Sequence, residues 1–358
     1  MESAQLEISQ INDIRTQPMF KGISFSNFKK PEVRKQLIEN IKKGKVEPAC
    51  YWCAELVCAG HYMEVWETIL HYAGKHIHLG NPKIVVYLEK RFEIFRNIMK
   101  QGLFLNELQL RNHPTIRRLF AEIICILTLS NKKHSFEPIK INRLEEFDIT
   151  QIADKLIAPN IHYVENIFKK TDPKELFIAA NEFAYNISKD NHCTINACYW
   201  IEWIIDFDIL CKKRKTPCFC ELRSDLPIEK KYKRDTIWLL WDILFYYSET
   251  LGNAFITTLM NSIFSLFCIK YTTASCKKRR YLLYFAVALI TEPVPTNIEL
   301  NTAKEVVKTV VDKIDSIYKQ IKKNEKSPNT EYLFANMEHE NTFEQSIKKM
   351  EMVNSIQL

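Results

Sequence analysis

Ala49-Cys50-Tyr51-Trp52 recurs as Ala197-Cys198-Tyr199-Trp200. Internal repetition decides the architecture, because similar sequence repeated in one chain builds similar structural units. The match runs outward from these blocks in a fixed order. Each is preceded by a helical stretch, Val33 to Ile41 and Leu176 to Ile187, and a short polar link. A Trp-acid pair heads the next apolar stretch, Trp66-Glu67 against Trp241-Asp242. Leu79-Gly80-Asn81 then answers Leu251-Gly252-Asn253, and Arg117-Arg118-Leu119 answers Arg279-Arg280-Tyr281 at the head of a long apolar helix. The sequence therefore reads as two tandem copies, 25–131 and 175–292. Only the second carries an insertion of Cys and basic residues, 211–234, where the first has a short Ala59-Gly60-His61 turn.

The periodicity is helical, and the expected fold class is all-α: a tandem duplication of an approximately five-helix bundle plus a C-terminal packing helix. Pro48 suits the first turn of a helix, where its missing N–H costs nothing. Ala303, Val306, Val307, Val310, Val311, Ile314, Ile317, Tyr318 and Ile321 step by three and four, which predicts one amphipathic helix over 296–324. Its apolar face is expected to pack on copy two. Residues 1–24 read as an N-terminal extension and 132–174 as a linker with a short helix at 149–157. Residues 325–358 read as a polar tail with a helix near 342–352.

Composition agrees. The 358 residues are 46% hydrophobic and 26% charged, enough for a sizeable core. Glycine is scarce: 7 residues, where ordinary usage would give about 25. This argues against folds that live on glycine turns. Gly252 is the only glycine after Gly102; at the repeat's turn it fits a left-handed position after a helix end. Eleven cysteines, many inside apolar runs, read as reduced thiols of an intracellular protein. No signal peptide is visible, and the longest apolar run, Tyr281 to Ile290, is ten residues; a membrane span needs about 20.

Residues 35–99 resemble the C-terminal helical (collar) domain of the clamp-loader-related replication ATPases of the RarA/MgsA type. The resemblance is carried by Tyr51-Trp52, Ala59-Gly60 and Ile77-His78-Leu79-Gly80-Asn81-Pro82. In that family the domain assembles subunits into a ring close to DNA. No phosphate loop of the form GxxxxGK followed by Ser or Thr occurs, so ATPase activity is not implied. The whole chain also resembles a protein family of large DNA viruses with the same ACYW, LGNP and KKRR landmarks, which implies no activity.

Candidate chemistry is sparse. Cys50, Cys53, Cys58 and His61 have partial zinc-ligand spacing, but Cys58 is rotated away on a helix and copy two has Ile201 at the position of Cys53. Cys211, Cys218 and Cys220 in the insertion are weak candidates for a metal clip, with unpaired thiols as the alternative. His71, His76 and His78 surround a turn without clustered Cys or carboxylate companions. Glu55 and Glu202 follow the two ACYW blocks; each is expected to meet an arginine of its own bundle, Arg117/Arg118 or Arg279/Arg280, and with Trp52 and Trp200 to be structural. The functional-looking feature is the cationic run Lys212-Lys213-Arg214-Lys215, closed by Lys230, Lys231, Lys233 and Arg234, together with Lys277-Lys278-Arg279-Arg280. A phosphate backbone would be held by such a surface without sequence reading. Phe219, Tyr232 and Trp238 could stack on unpaired bases. A solvated charged face or a protein-docking patch are the plainer readings.

The net charge of +7 permits an anionic partner without requiring one. The expectation is a non-enzymatic adaptor or scaffold without cofactor, associated with viral DNA replication or gene expression. Its expected partners are DNA or RNA and proteins, including its own copies, but not membranes. It is placed in the host cytoplasm or a viral factory. The alternatives are a virion structural protein and an enzyme of unknown type.

Overall fold

The computed structural model describes residues 9–100, 107–143, 145–147, 152–216, 218–223 and 228–326. The fold is all-α, and the described residues contain two isolated β-bridges but no strand. The first half contributes α1 (Lys30–Lys42), α2 (Val46–Cys58), α3 (Tyr62–Tyr72), α4 (Ile84–Lys100) and α5 (Pro114–Leu129). The second contributes α6 (Phe177–Ile187), α7 (Thr194–Lys213), α8 (Ile237–Thr250), α9 (Ala254–Phe267), the short α10 (Thr273–Lys278) and α11 (Arg280–Thr291).

Local chemistry sets the helix ends. Pro48 lies in the first turn of α2 and Pro114 opens α5. Asn253 caps α9 by accepting from the backbone N–H of Phe255 at 3.0 Å, which satisfies a donor that α9 itself cannot. Gly252, with φ +62°, terminates α8 in the left-handed region. Gly80, its sequence counterpart, lies outside that region. A Cβ there would stand 2.8 Å from the Asn131 carbonyl oxygen, so glycine is needed for close approach. The left-handed glycines of the first half are Gly44, φ +73°, after α1, and Gly60, φ +76°, just after α2. The matched Leu-Gly-Asn triplets are thus alike in letters and different in geometry.

The halves share a packing order. In each, the first helix packs on the second, third and last, and the second packs on the third and last. The tryptophans agree as well. Trp66 of α3 lies 5.0 Å from Phe92 and 5.8 Å from Phe95 of α4. Trp241 of α8 lies 4.9 Å from Phe264 and 5.3 Å from Phe267 of α9.

The halves are not separate bundles. One hydrophobic core runs through both, with α4 against α9 and α11 against the turn that follows α3. Gly74 in that turn has the Tyr281 backbone so near that a Cβ would lie 2.9 Å from its carbonyl.

The C-terminal segment departs from the reading in two ways. It forms two helices, α12 (Lys304–Asp312) and α13 (Ile314–Lys322), instead of one over 296–324. Both pack on the first half, α12 on α5 and α13 on α2 and α5, where the sequence predicts packing on the second half. The buried face is Val307, Ile314, Ile317, Tyr318 and Ile321, while Val306 is exposed. Ile314 and Tyr318 close over Cys50, Cys53 and Phe120. The expected helix at 149–157 reduces to a single 3-10 turn, Ala153–Lys155, among the described residues of that stretch. The expected helix near 342–352 lies outside the described residues. No described helix is long and apolar enough to cross a membrane.

Candidate nucleic-acid interface

The insertion begins where α7 ends. The Thr216 N–H donates to the Cys211 carbonyl at 3.0 Å and the Lys215 N–H to that of Lys212 at 3.3 Å. These are the two bonds of a Schellman stop, and its left-handed position is held by Lys215 at φ +59° instead of glycine. Cations at a helix C-terminus are favoured by the helix dipole, so Lys212 and Lys213 also have a structural reason to be there. Beyond the stop the chain alternates: Cys218 and Cys220 are buried, and Phe219 between them is 50% exposed. Glu221 bridges Arg234, and the Leu222 N–H donates to the Lys233 carbonyl at 2.8 Å. Residues 221–222 therefore lie beside 233–234, and Lys212 at the start of the insertion meets Asp235 just past its end at 3.3 Å.

Arg223 fastens this knot to the body. Its guanidinium meets Asp172 at 2.8 Å, Asp242 at 2.9 Å and the Ile167 carbonyl at 3.0 Å. Burial pushes the Asp242 carboxyl up to about 6, against the pull of Arg223.

The eight cations expected to form the interface divide. Lys212 turns inward, 2.5 Å from Asp208 and 3.3 Å from Asp235. Burial opposes its charge, but the two carboxylates outweigh that and hold its ammonium above the ordinary range. Lys277 pairs with Asp206 at 3.1 Å. Burial alone would raise the Asp206 carboxyl; Arg143 and Lys277 hold it below the usual range. Arg279 is 2% exposed and grips Glu67 of α3 across the seam between the halves. Arg280 meets Glu202 at 3.0 Å. Lys213, Arg214, Lys215 and Lys278 are exposed, and no ion pair ties them among the described residues. Lys230 and Lys233 are exposed near the far end of the same insertion.

The aromatic neighbours divide too. Trp238 is buried, and its indole N–H donates to the Tyr232 carbonyl at 2.9 Å. Tyr232 is half-buried, with the Lys231 ammonium 4.7 Å from its ring centre. Neither offers a free face. Phe219 does.

Glu202 finds Arg280 as expected, and Tyr284 donates to it at 2.9 Å; burial raises its carboxyl above the usual range. Glu55 does not meet Arg117 or Arg118. It accepts from Ser24 at 2.8 Å and from the Ser26 N–H at 2.9 Å, because the chain before α1 folds back over α2. Arg117 is buried and pairs with Asp315 of α13, while Arg118 is exposed on α5. Trp200 is buried; Trp52 is half-buried, its ring 5.3 Å from Phe28.

No group of three or more His, Cys, Asp or Glu able to hold a metal occurs among the described residues. All eleven cysteines are free thiols. The His61 Nε2 is engaged by the Phe20 and Ile23 carbonyls, at 3.0 and 2.7 Å. His76 binds Ser135 at 2.6 Å and His78 the His134 carbonyl at 2.6 Å, so both imidazoles tie the linker to the turn after α3. A cavity of about 520 Å³ opens between the linker, the start of α7 and α11. Its walls are Phe136, Ile139, Ile195 and Tyr284, with His134 and His192 among its polar groups.

No family model, curated protein or solved structure matches this chain.

Proposed function

We propose that the chain is a non-enzymatic helical adaptor that contacts nucleic acid through the exposed cations of its insertion. The observation that carries this reading is one of geometry. The Schellman stop carries the exposed Lys213, Arg214 and Lys215, the Glu221–Arg234 bridge lies beside the exposed Lys230 and Lys233, and Lys212 joins the two ends of the insertion through Asp235 at 3.3 Å. Phe219 of the same insertion is 50% exposed. Cations provide phosphate attraction and counterion release, and an exposed ring offers a stacking face for a base. Three residues of the KKRR run are not part of this surface, since Lys277, Arg279 and Arg280 serve carboxylates of the protein itself, and only Lys278 is left exposed without an ion pair among the described residues.

The two halves are read as products of a duplication, supported by the shared packing order and the paired tryptophans. On that reading the second copy gained the cationic insertion. The collar resemblance of residues 35–99 points to DNA replication or gene expression in a large DNA virus as the setting.

The test is binding of nonspecific single-stranded and duplex oligonucleotides across a salt series. The comparison is with a variant carrying Lys213→Glu, Arg214→Glu, Lys230→Glu and Lys233→Glu. Losing four phosphate contacts should flatten the log–log salt slope by about 3 to 4. Unchanged affinity in a folded variant, or no binding by the wild type at low salt, overturns the proposal.

A further inference from the structure

We propose that the cavity between the linker, the start of α7 and α11 binds a planar heterocycle bearing an amino group. Its three walls are fastened to one another. The Lys133 ammonium meets Glu292, just past α11, at 2.5 Å. Thr194 at the start of α7 shares a hydrogen bond with Thr291 at the end of α11, at 2.7 Å. The linker is also pinned from behind. The Phe136 N–H donates to the Lys75 carbonyl at 3.1 Å, and the His78 imidazole holds the His134 carbonyl at 2.6 Å. The space of about 520 Å³ is therefore preformed, and small-molecule sites span about 300–1,000 Å³.

The ligand class follows from what the walls leave unused. The apolar walls are the rings of Phe136 and Tyr284 and the side chains of Ile139 and Ile195. Rings and branched aliphatic chains favour a flat aromatic guest. Ile195 is 75% exposed, so a guest would cover an apolar side chain that the protein leaves in water. Most of the polar wall groups are already engaged. Tyr284 donates to Glu202 at 2.9 Å, Ser135 binds His76 at 2.6 Å, and Glu292 holds Lys133. The His134 and His192 imidazoles and the Glu137 carboxylate line the cavity without a hydrogen bond or ion pair among the described residues.

Charge selects between guests. Among the described residues no Lys or Arg lines the cavity. A carboxylate or phosphate inside it would find no counter-charge and would face Glu137 and Glu292, whereas an amino group meets an acceptor in Glu137. A neutral imidazole offers one donor and one acceptor nitrogen, which suits the ring nitrogens of a heterocycle. His192 is fixed at the rim in the left-handed region, φ +48°. Its N–H donates to the Ser188 carbonyl at 3.0 Å, and the Cys193 N–H donates to that of Asn186 at 2.8 Å.

No residue of the cationic insertion lines this cavity, so the inference stands apart from the nucleic-acid reading. The same heterocycle could arrive as a free molecule or as an unpaired base of a strand.

The experiment titrates the folded full chain into 2-aminopurine, a fluorescent amino-heterocycle whose emission is quenched by stacking. Saturable quenching is expected. Purine, the same ring system without the amino group, should displace it several-fold less well. Glu137→Ala removes the acceptor and Ile195→Ala removes part of the apolar wall. Both side chains are exposed, and each variant should bind several-fold more weakly. Circular dichroism checks that each folds. The variant with four glutamates in the insertion should keep wild-type affinity for free 2-aminopurine even where it loses oligonucleotides. A thymidine strand carrying one 2-aminopurine separates the sources: quenching that Glu137→Ala weakens adds the strand's base as a guest, and quenching that it leaves untouched assigns the cavity to the free molecule. Absence of saturable quenching with the free base, equal displacement by purine, or wild-type affinity in either alanine variant overturns the proposal. Loss of free-base binding in the four-glutamate variant places the binding on the insertion and overturns it too.

Discussion

Arg117 on α5 and Asp315 on α13 form a charge pair at 2.7 Å across 198 residues of sequence. Arg117 is 1% exposed and also donates to the Arg111 carbonyl at 2.7 Å and to Ser9 Oγ at 2.8 Å. Its guanidinium lies 4.1 Å from the centre of the Tyr318 ring. The pair is thus the polar lock of an otherwise apolar docking face.

Removing the anion leaves a buried cation with fewer acceptors. Breaking a buried pair costs about 3–5 kcal/mol when nothing replaces the lost partner. Asp315 is partly solvated and Arg117 keeps its other acceptors, so Asp315→Ala should cost about 2 kcal/mol. Arg117→Lys should also destabilise, since an ammonium cannot reproduce the fork. Urea unfolding measures both. An unchanged midpoint for Asp315→Ala would show that docking rests on Tyr318 and the aliphatic face alone.

Gly74 sets how closely the halves approach. A Cβ at this position would meet the backbone carbon and oxygen of Tyr281 at 2.9 Å, and a backbone cannot swing aside as a side chain can. Gly74→Ala should destabilise by about 1–3 kcal/mol through forced separation of α11 from the turn. Gly22 is the comparison. Its φ is +82° and nothing lies within 4 Å of a Cβ there, so Gly22→Ala should cost only the backbone strain of about 1–2 kcal/mol. The distinguishing measurement is hydrogen exchange at the seam. Gly74→Ala should raise exchange in α11, and Gly22→Ala should not.

Acid should loosen the same seam. Burial lowers His71 to about 3 and His76 and His78 to about 4, with neighbouring cations including Lys75 and Lys133 adding to the effect. The unfolded chain takes up these protons near pH 6.5, whereas the folded chain does not until about pH 3–4. Their stabilisation is therefore complete above pH 6.5 and is lost as pH falls from there toward 4. Each imidazole contributes a slope of up to about 1.4 kcal/mol per pH unit. Asp242 runs the other way. Its folded value of about 6 lies above the unfolded carboxylate value, so its contribution favours the fold at low pH and is lost as pH rises from about 4 to 6. Glu182, Glu202 and Asp208 are raised like Asp242, whereas His113, Asp13, Glu146 and Asp206 are lowered like the three imidazoles, so the contribution of each group is read as the difference between the wild type and its variant. Unfolding midpoints at pH 5 and 7 test this. His76→Gln should flatten the dependence, and Asp242→Asn should steepen it.

Much of the fold is readable in the chain because helical periodicity is local. The Trp66 and Trp241 positions, the Pro48 helix start and the left-handed Gly252 all follow from neighbours a few residues away. Docking is not local. The apolar stripe of Ile314, Ile317, Tyr318 and Ile321 announces that something covers it. Its partner face is defined by Arg117, whose counter-ion is nearly 200 residues distant. The cationic runs mislead for the same reason. Lys277-Lys278-Arg279-Arg280 looks like one solvated patch, yet Arg279 answers Glu67 from the other half, 212 residues away. Lys212 likewise answers Asp235 from the far side of the insertion. A charge run shows where cations lie in the chain; only the fold shows which of them are already neutralised.

Lys215 separates the structural from the binding role of the insertion in one residue. It holds a left-handed conformation at φ +59° at the end of α7, where an L side chain costs about 1–2 kcal/mol and glycine costs almost none. Lys215→Gly should therefore raise stability by about 1 kcal/mol, after allowance for the greater freedom of glycine in the unfolded chain. Lys215→Ala keeps the strain and should leave stability nearly unchanged. Both substitutions remove the same exposed cation. If that cation touches a phosphate, each variant should flatten the salt slope of oligonucleotide binding by about 0.9. Urea unfolding reads the first effect and a salt titration the second. If Gly and Ala at 215 differ in stability but match the wild-type salt slope, the stop is structural and the phosphate contact lies elsewhere on the knot.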